Sequence, residues 1–254
     1  MIMFFVTSGQ MPDGYGFSAY GVTHLIWLGV IILVCILGSI LIRKLDPKKQ
    51  QILLTIVGIA VILQETSKNI IVSILEGFSV GYLPFHLCGI NILLIGFDII
   101  KPTKIVRNFL YFFCIPGAAL ALLFPNWTKM PFWNFFHFHS FIVHGLLVLY
   151  PVLLISSGLA RPKIKDMPKC IGLLVLMAIP IYFLNLAWDT NFMFLMRPDS
   201  GNPLELFEKL LGSHLWGFPI LLPVVMFIMY LPILIIEKIG KAKETKKEKE
   251  TVKV

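Results

Sequence analysis

The chain of 254 residues is 57% hydrophobic and only 14% charged, and its mean hydropathy is +0.83. A water-soluble domain of this length could not bury so much apolar side chain, so lipid must be the solvent for most of the chain. The composition excludes an ordinary soluble enzyme and predicts an all-α, polytopic transmembrane helical bundle.

The first residues lack the pattern of a cleaved signal peptide. The apolar start, Met1 to Pro12, has no Lys or Arg before it, whereas such a signal carries a basic region ahead of its apolar core. We expect residues 1–21 to remain on the protein as an extracytoplasmic N-terminal segment.

Seven apolar runs are long enough to cross the roughly 30 Å of bilayer hydrocarbon. They lie at residues 22–42, 52–75, 82–100, 105–124, 136–157, 169–187 and 214–236. Proline-containing connections separate most of them, which is typical of turns. Together the runs predict a seven-helix transmembrane domain over residues 22–236.

Lysine and arginine lie almost entirely on one side of these spans. Eighteen of the 22 fall in the first, third and fifth loops and in the tail, against three on the other side and Lys68 inside a span. This positive-inside bias predicts a multi-pass protein of the cell membrane with its N-terminus outside and a basic, disordered cytoplasmic tail at 237–254. The net charge of +8 then reflects topology and attraction to anionic lipid, and no nucleic-acid binding is predicted.

Polar chemistry collects at the predicted extracytoplasmic face. All six histidines lie there: His24, His86, His137, His139, His144 and His214. The second span adds Glu65 and Lys68, which share one helix face with Asn69. Ionisable groups inside a span are costly unless they are paired or face a cavity, so by default they mark function. The alternative is a Glu65–Lys68 pair that only holds the bundle together.

Cys88 is the candidate nucleophile. Counted from Tyr82, it lies about 9 Å inside the third span, which is the depth of a phospholipid ester. A thiol attacks as its thiolate and needs an adjacent base, usually a histidine. Cys88 shares a helix face with Asn91 but not with His86, so the base is expected from another helix.

The fifth span offers candidates for this base. His137, Ser140 and His144 lie on one stripe of the helix, and His139 points nearly the opposite way. His144 is closest in depth to Cys88 and is the preferred partner. The alternatives are histidines that hydrogen-bond headgroups or neighbouring helices, and a cysteine that only packs.

The sequence predicts neither a metal site nor a cofactor. The cysteines are scattered singly within apolar runs: Cys35, Cys88, Cys114 and Cys170. No His-Glu-x-x-His motif is present, and His137 and His144 are too far apart for a ligand pair four residues apart on one helix.

A short apolar piece, residues 192–196, follows the sixth span and is too short to cross the membrane. We expect an interfacial or re-entrant segment over the site. Asp189, just before it, could orient a histidine as the third group of a triad does, or could be a solvated helix-end residue.

Three stretches carry a family resemblance: Leu83-Pro84-Phe85-His86-Leu87-Cys88, the run from Phe138 to Gly145, and Asp189-Thr190-Asn191-Phe192-Met193-Phe194-Leu195. Through them, residues 15 to 236 resemble the YwaF-like family of bacterial membrane proteins, which is similar to the animal transmembrane protein 164 group. The resemblance implies a cysteine-dependent acyltransferase that moves fatty acyl chains between phospholipids through a thioester. Cys88 matches the cysteine of that motif, and one of the fifth-span histidines would match its partner.

The leading hypothesis is therefore a lipid acyltransferase of the extracytoplasmic leaflet, with membrane phospholipids as its partners. Cys88 would attack the ester, and His144, or else His137 or His139, would carry the proton. Asn91 or Ser140 would steady the oxyanion. The predicted substrate contacts are His86, Glu65, Lys68, Ser140, Asp189 and Asn191. The rival hypotheses are a transporter or receptor that uses Glu65, Lys68 and the histidines, and a scaffold without chemistry.

The predicted orientation can be tested by cysteine labelling in intact cells. A membrane-impermeant maleimide should label Lys129→Cys in intact cells and Lys163→Cys only after permeabilisation, with the unsubstituted chain as background. The reverse pattern would invert the topology.

Overall fold

A computed structural model describes residues 3–199 and 203–251 of the chain, with side chains as far as residue 235. Helices and turns make up these ranges, which contain no strand. The helices are α1 (Val22–Lys44), α2 (Pro47–Glu76), α3 (Leu87–Ile100), α4 (Lys104–Phe109), α5 (Ile115–Leu123), α6 (Phe135–Ser156), α7 (Met167–Trp188), α8 (Pro203–Leu211) and α9 (Gly217–Thr251). The predicted all-α bundle is confirmed.

Six stretches of helix are long and apolar enough to cross a membrane. They are Val22–Lys44, Pro47–Glu76, Lys104–Leu123, Phe135–Ser156, Ile164–Trp188 and His214–Ile235. The third predicted span, 82–100, is shorter than expected. Its helix, α3, has 14 residues, about 21 Å at 1.5 Å per residue and less than the ~30 Å of hydrocarbon.

Residues 83–86 form a separate turn ahead of α3 instead of its first helical turn. The residue before a proline is held out of the helical region, and Leu83 precedes Pro84 with φ −65° and ψ 147°. A Cβ on Gly89 would lie 2.8 Å from the Pro84 Cα, so only glycine lets this turn pass so close to the helix. The prediction of a helix from residue 82 is therefore wrong at its N-terminal end.

The backbone of α9 continues in one helix to Thr251, through most of the segment for which a disordered tail is predicted. Lys and Glu are good helix formers, and no proline follows Pro232 in this helix. The division of the chain at residue 237 and the cytoplasmic location of the tail stay predictions.

The central element is α6, which packs against α1, α2 and α5. Its buried side chains form the middle of the main core together with residues of α2 and α3: Val143, Leu147, Tyr150, Leu153 and Leu154 from α6, and Leu54, Val61 and Ile95 from its neighbours. Outside this core, α7 and α9 pack on a second apolar cluster around Phe109 and Phe112. Hence α6 presents side chains to three helices at once.

The helix from Lys104 to Leu123 contains one π-helical stretch, Leu110–Cys114, between α4 and α5. Pro116 follows within the first turn of α5 and has no N–H for the helix ladder. Single π turns in α-helices are frequent at functional sites. This stretch places Cys114 against α6, where its thiol donates to the Leu147 carbonyl over 3.2 Å.

A buried ion pair joins the helices at the end of the bundle away from the histidines. Asp98 on α3 is 1% exposed. Arg107 Nε donates to its two oxygens over 2.9 and 3.2 Å, and the Tyr150 hydroxyl donates over 3.0 Å. This network therefore connects α3, α4 and α6.

Breaking this pair should be costly. Arg107→Leu leaves the Asp98 carboxylate buried without its counter-ion, and we expect a loss of about 3–5 kcal/mol in the free energy of unfolding. The measurement is unfolding of the purified protein in detergent micelles or nanodiscs.

The matched control is Lys49→Leu, which removes an exposed ion pair. Lys49 lies 3.1 Å from Asp46, and both side chains are about half exposed or more. The Lys49 N–H and ammonium hold the pKa of the Asp46 carboxyl below its usual value, but exposed pairs contribute only about 0–1 kcal/mol. Equal effects of the two substitutions would contradict the structural role of the buried pair.

Candidate active site at the histidine end

The histidines lie where α1, α3, α6 and α9 begin and where α2, α5 and α7 end, and we call this end of the bundle the histidine end. Chain connectivity brings these termini together, and cross-contacts confirm their proximity. His24 Nε2 lies 2.7 Å from the Leu122 carbonyl at the end of α5. The Trp27 indole of α1 donates to His137 Nε2 of α6 over 2.9 Å.

Close packing of α2 on α3 sets the relative height of the site residues. A Cβ on Gly58 of α2 would lie 3.0 Å from the Ile95 side chain of α3 and closer still to that of Ile99. A Cβ on Gly96 would lie 3.4 Å from the Ile62 side chain. The two helices run in opposite directions, and the absent side chains let them approach closely.

The predicted site residues lie two helical turns from these contacts, toward the histidine end. Seven residues return to the same helix face about 10 Å further along. From Gly58 and Ile62 this step leads to Glu65 and Asn69, and from Ile95 it leads back to Cys88, with Asn91 one turn nearer. The α2–α3 interface therefore brings Cys88 and Asn91 level with the polar face of α2.

Glu65 lies at the centre of this polar group. Its Oε1 accepts from the Lys68 ammonium over 2.6 Å, and its Oε2 lies 3.5 Å from His139 Nε2 on α6. The Cys88 thiol and the rings of His86 and His144 are also close enough to Glu65 for their charges to interact. The structure thus places Lys68 and His139 directly against Glu65, with Cys88, His86 and His144 within electrostatic range of the carboxylate.

Three buried polar atoms of this group have no hydrogen-bond partner among the described residues. They are Asn69 Oδ1, Asn91 Oδ1 and His139 Nε2. The His139 contact with Glu65 is an ion-pair distance without hydrogen-bond alignment. Buried polar groups are nearly always bonded, and each exception calls for an explanation such as a bound ligand.

His144 has a defined ring orientation. Its Nδ1 donates to the Ser140 carbonyl over 2.7 Å, and its ring stacks on Trp127 with 5.2 Å between centroids. A carbonyl only accepts, so Nδ1 carries the proton and Nε2 keeps a lone pair. Within the described residues no hydrogen bond joins His144 to Cys88, which is half-buried.

His137 differs from the other candidates because both its ring nitrogens are used. Nε2 accepts from Trp27, and Nδ1 lies 3.1 Å from the Met130 carbonyl. The side chain is fully buried at the contact between α1 and α6. The predicted stripe of His137, Ser140 and His144 faces α1 at His137. His139 lies on the other side of α6 and faces Glu65. The structure therefore shows His137 in the packing between α1 and α6, and its catalytic role stays a prediction.

Residues 189–199, which we call the covering segment, lie over the start of α3. Asn185 of α7 holds this segment: its Oδ1 accepts from the Phe192 N–H over 2.8 Å, and its Nδ2 donates to the Phe192 carbonyl over 3.0 Å. The Phe192 ring is 1% exposed and lies 5.4 Å from that of His86. The chain reverses direction at the buried Phe192, as in the interfacial or re-entrant segment that the sequence leads us to expect.

Two histidines also bind the covering segment. The Met193 N–H donates to His86 Nδ1 over 3.3 Å, and His214 Nε2 lies 3.1 Å from the Phe194 carbonyl. Met193 and Phe194 have φ values of 57° and 56°, a left-handed conformation that costs roughly 1–3 kcal/mol per residue. His86, two residues before Cys88, therefore links a strained segment to the helix of the candidate nucleophile.

Two further predicted substrate contacts, Asp189 and Asn191, lie in this segment. Asp189 is exposed and caps α7 in a left-handed conformation. Asn191 Oδ1 accepts from the N–H groups of Met196 and Arg197. Both residues shape the covering segment. Asn185 and His214 have larger roles than sequence spacing indicates, because only the chain reversal brings them against residues 192–194.

The described residues contain no group of three or more His, Cys, Asp or Glu side chains that could hold a metal ion. The polar group at the histidine end is instead one carboxylate, one ammonium, imidazoles, carboxamides and a thiol. These are the components of nucleophilic and acid–base chemistry.

A family model matches residues 19–231, which covers every residue discussed at the histidine end. The chain belongs to the TMEM164 family. The similarity to transmembrane protein 164 expected from the motifs is thereby confirmed, and the chain is an integral membrane protein. Placement in the bacterial YwaF-like branch of the TMEM164 family stays a prediction. No curated protein and no solved structure matches the chain.

Removal of the Asn185 carboxamide should release the covering segment. Asn185→Ala deletes the bonds to Thr190 and Phe192, so the Phe192 and Met193 amides should exchange hydrogen at least tenfold faster while the α6 amides stay protected. Thr55→Ala, an accessible position on α2, serves as the control. Unchanged exchange at residues 192–193 would show that other contacts hold the segment.

Proposed function

We propose that this TMEM164-family protein is a cysteine-dependent acyltransferase that acts on phospholipid in the extracytoplasmic leaflet of the cell membrane. The observation that supports it most is a half-buried thiol within electrostatic range of Glu65, which also contacts Lys68 and His139. Cys88 lies in the first turn of α3, a short helix whose opposite side exposes Leu93 and Phe97. A lipid beside α3 would bring its ester to the thiol around the N-terminal end of this helix, without leaving the bilayer.

In the proposed reaction, the Cys88 thiolate attacks the ester carbonyl. A sulfur–carbon bond forms, the carbon–oxygen bond of the ester breaks, and the leaving alkoxide takes the proton that the thiol gave up. A second alcohol then attacks the thioester, loses its proton, and the acyl group leaves sulfur. No cofactor enters this sequence of steps.

The proton carrier is proposed to be His144 or His139. Both interact with Glu65, and a carboxylate stabilises the imidazolium that forms when the thiol loses its proton. His144 has a free lone pair on Nε2, and His139 lies against Glu65 directly. His137 is left out because both its nitrogens are already bonded.

The other groups would bind substrate. Asn91 would steady the oxyanion, Lys68 would bind a lipid phosphate, and Ser140 and His86 would contact the substrate at the same end of the bundle. Asp189 and Asn191 would act through the covering segment instead of touching the lipid.

The transport hypothesis finds no support in the packing. Between the level of Glu65 and the Asp98 pair lie fully buried apolar side chains of three helices, including Val61, Ile95 and Leu147. A path for ions or protons would need polar groups or water through this layer. Catalysis at one face of the membrane needs neither.

The decisive experiment uses an alkyne-tagged phospholipid with the purified protein in nanodiscs. We expect hydroxylamine-labile label on the wild type and its loss in Cys88→Ser, because an oxygen ester at that position resists hydroxylamine under mild conditions and serine is the weaker nucleophile. Cys114→Ser is the matched control. Its thiol only donates to Leu147, which a serine hydroxyl also can do, so its label should equal that of the wild type.

The same assay separates the histidines. Substitution by alanine of the true proton carrier should slow labelling by about 10²–10⁴-fold, the usual contribution of a general base. His137→Ala in folded protein should retain wild-type labelling. Label that persists in Cys88→Ser, or none on folded wild type with several lipid classes, would contradict the proposal.

A further inference from the structure

We infer that Asn69 and Asn91 together bind the acyl acceptor, through a hydroxyl that donates to their carboxamide oxygens. The inference rests on the proposed acyl transfer and assigns its second step to a pair of residues on two helices. Asn69 has no role in any of the steps described above.

The two carboxamides lie on facing sides of α2 and α3. Asn69 is two turns beyond Ile62, whose side chain would touch a Cβ on Gly96. Asn91 is one turn before Ile95, whose side chain would touch a Cβ on Gly58. Both residues therefore continue the α2–α3 interface at the level of the Cys88 thiol.

Both oxygens lack a donor in the part of the chain that the structure describes. Asn69 Oδ1 and Asn91 Oδ1 are buried and unbonded, and Asn91 as a whole is 1% exposed. A buried unpaired acceptor is destabilising, so two of them on facing helices indicate a site that is completed by a ligand. The required ligand offers O–H or N–H donors.

The neighbouring charges favour a neutral donor. An ammonium group would be drawn to a free carboxylate, but Glu65 already holds Lys68 at 2.6 Å and His139 at 3.5 Å. A fully acylated glycerol backbone has no hydroxyl to donate. A glycerol with two free hydroxyls does: one hydroxyl can donate to the amide pair and leave the other free to attack when the acyl group is on Cys88.

In this step one hydroxyl of the acceptor stays bonded to the amide pair and orients the lipid, and the oxygen of the neighbouring hydroxyl attacks the thioester carbonyl. The oxygen–carbon bond forms, the carbon–sulfur bond breaks, and the hydroxyl proton passes to the histidine base and then to the departing thiolate. The products are an ester and the free Cys88 thiol.

The test separates loading of the enzyme from its discharge. Asn69→Leu keeps the volume of the side chain and removes its acceptor, and Ser67→Ala, a neighbouring change on α2, is the control. Thioester formed from tagged phospholipid is measured first without an acceptor. Its discharge is then followed with a monoacylglycerol and, separately, with hydroxylamine, a small nucleophile that needs no acceptor site.

We expect Asn69→Leu to load like the wild type, to discharge to monoacylglycerol about tenfold more slowly, the effect of one lost hydrogen bond, and to discharge to hydroxylamine at the wild-type rate. Normal loading with unchanged discharge to monoacylglycerol would overturn the inference. So would loss of loading in both Asn69→Leu and Asn69→Ser, since Asn69 would then serve acylation or folding. A wild type that never loads would instead refute the proposed function.

Discussion

An ionised carboxylate within a membrane-spanning helix is the constraint on which the histidine end depends. Glu65 cannot be left alone in a medium of low dielectric constant, so it must hold cations close. Lys68 donates to Glu65 from the same helix, and His139 contacts it from α6. Because α6 also packs against α1 and α5, the ends of these three helices lie around Glu65. The neutral carboxamides and the Cys88 thiol occupy the remaining positions at the same level.

The sequence predicts the bundle well and the site in part. Hydropathy locates the long helices because backbone groups in lipid must be satisfied within each helix. The third span is overestimated because Leu83-Pro84-Phe85 is apolar yet forms a turn, and hydropathy does not register the effect of Pro84. Helical spacing places Glu65, Lys68 and Asn69 on one face correctly. It does not reveal which neighbour each face of α6 meets, so His137 resembled a catalytic candidate although it faces Trp27.

The covering segment shows what sequence spacing alone misses. Asn185 and His214 are distant in the chain, and their common target, residues 192–194, becomes visible only when the chain reverses through two left-handed residues. Each is a single polar residue in an apolar context, with no local pattern to distinguish it from a helix-end residue. Once packed, these two residues and His86 fix a segment that connects α3, α7 and the start of α9.

The shortness of α3 also affects the lipid around it. A helix of 14 residues presents a hydrophobic length well under that of its neighbours, and the bilayer adapts to such a mismatch by thinning locally. Lipids beside Leu93 and Phe97 would then have their headgroups drawn toward the membrane centre. A thiol that looks deep when measured against α1 or α2 becomes an interfacial group when measured against the lipids that touch its own helix.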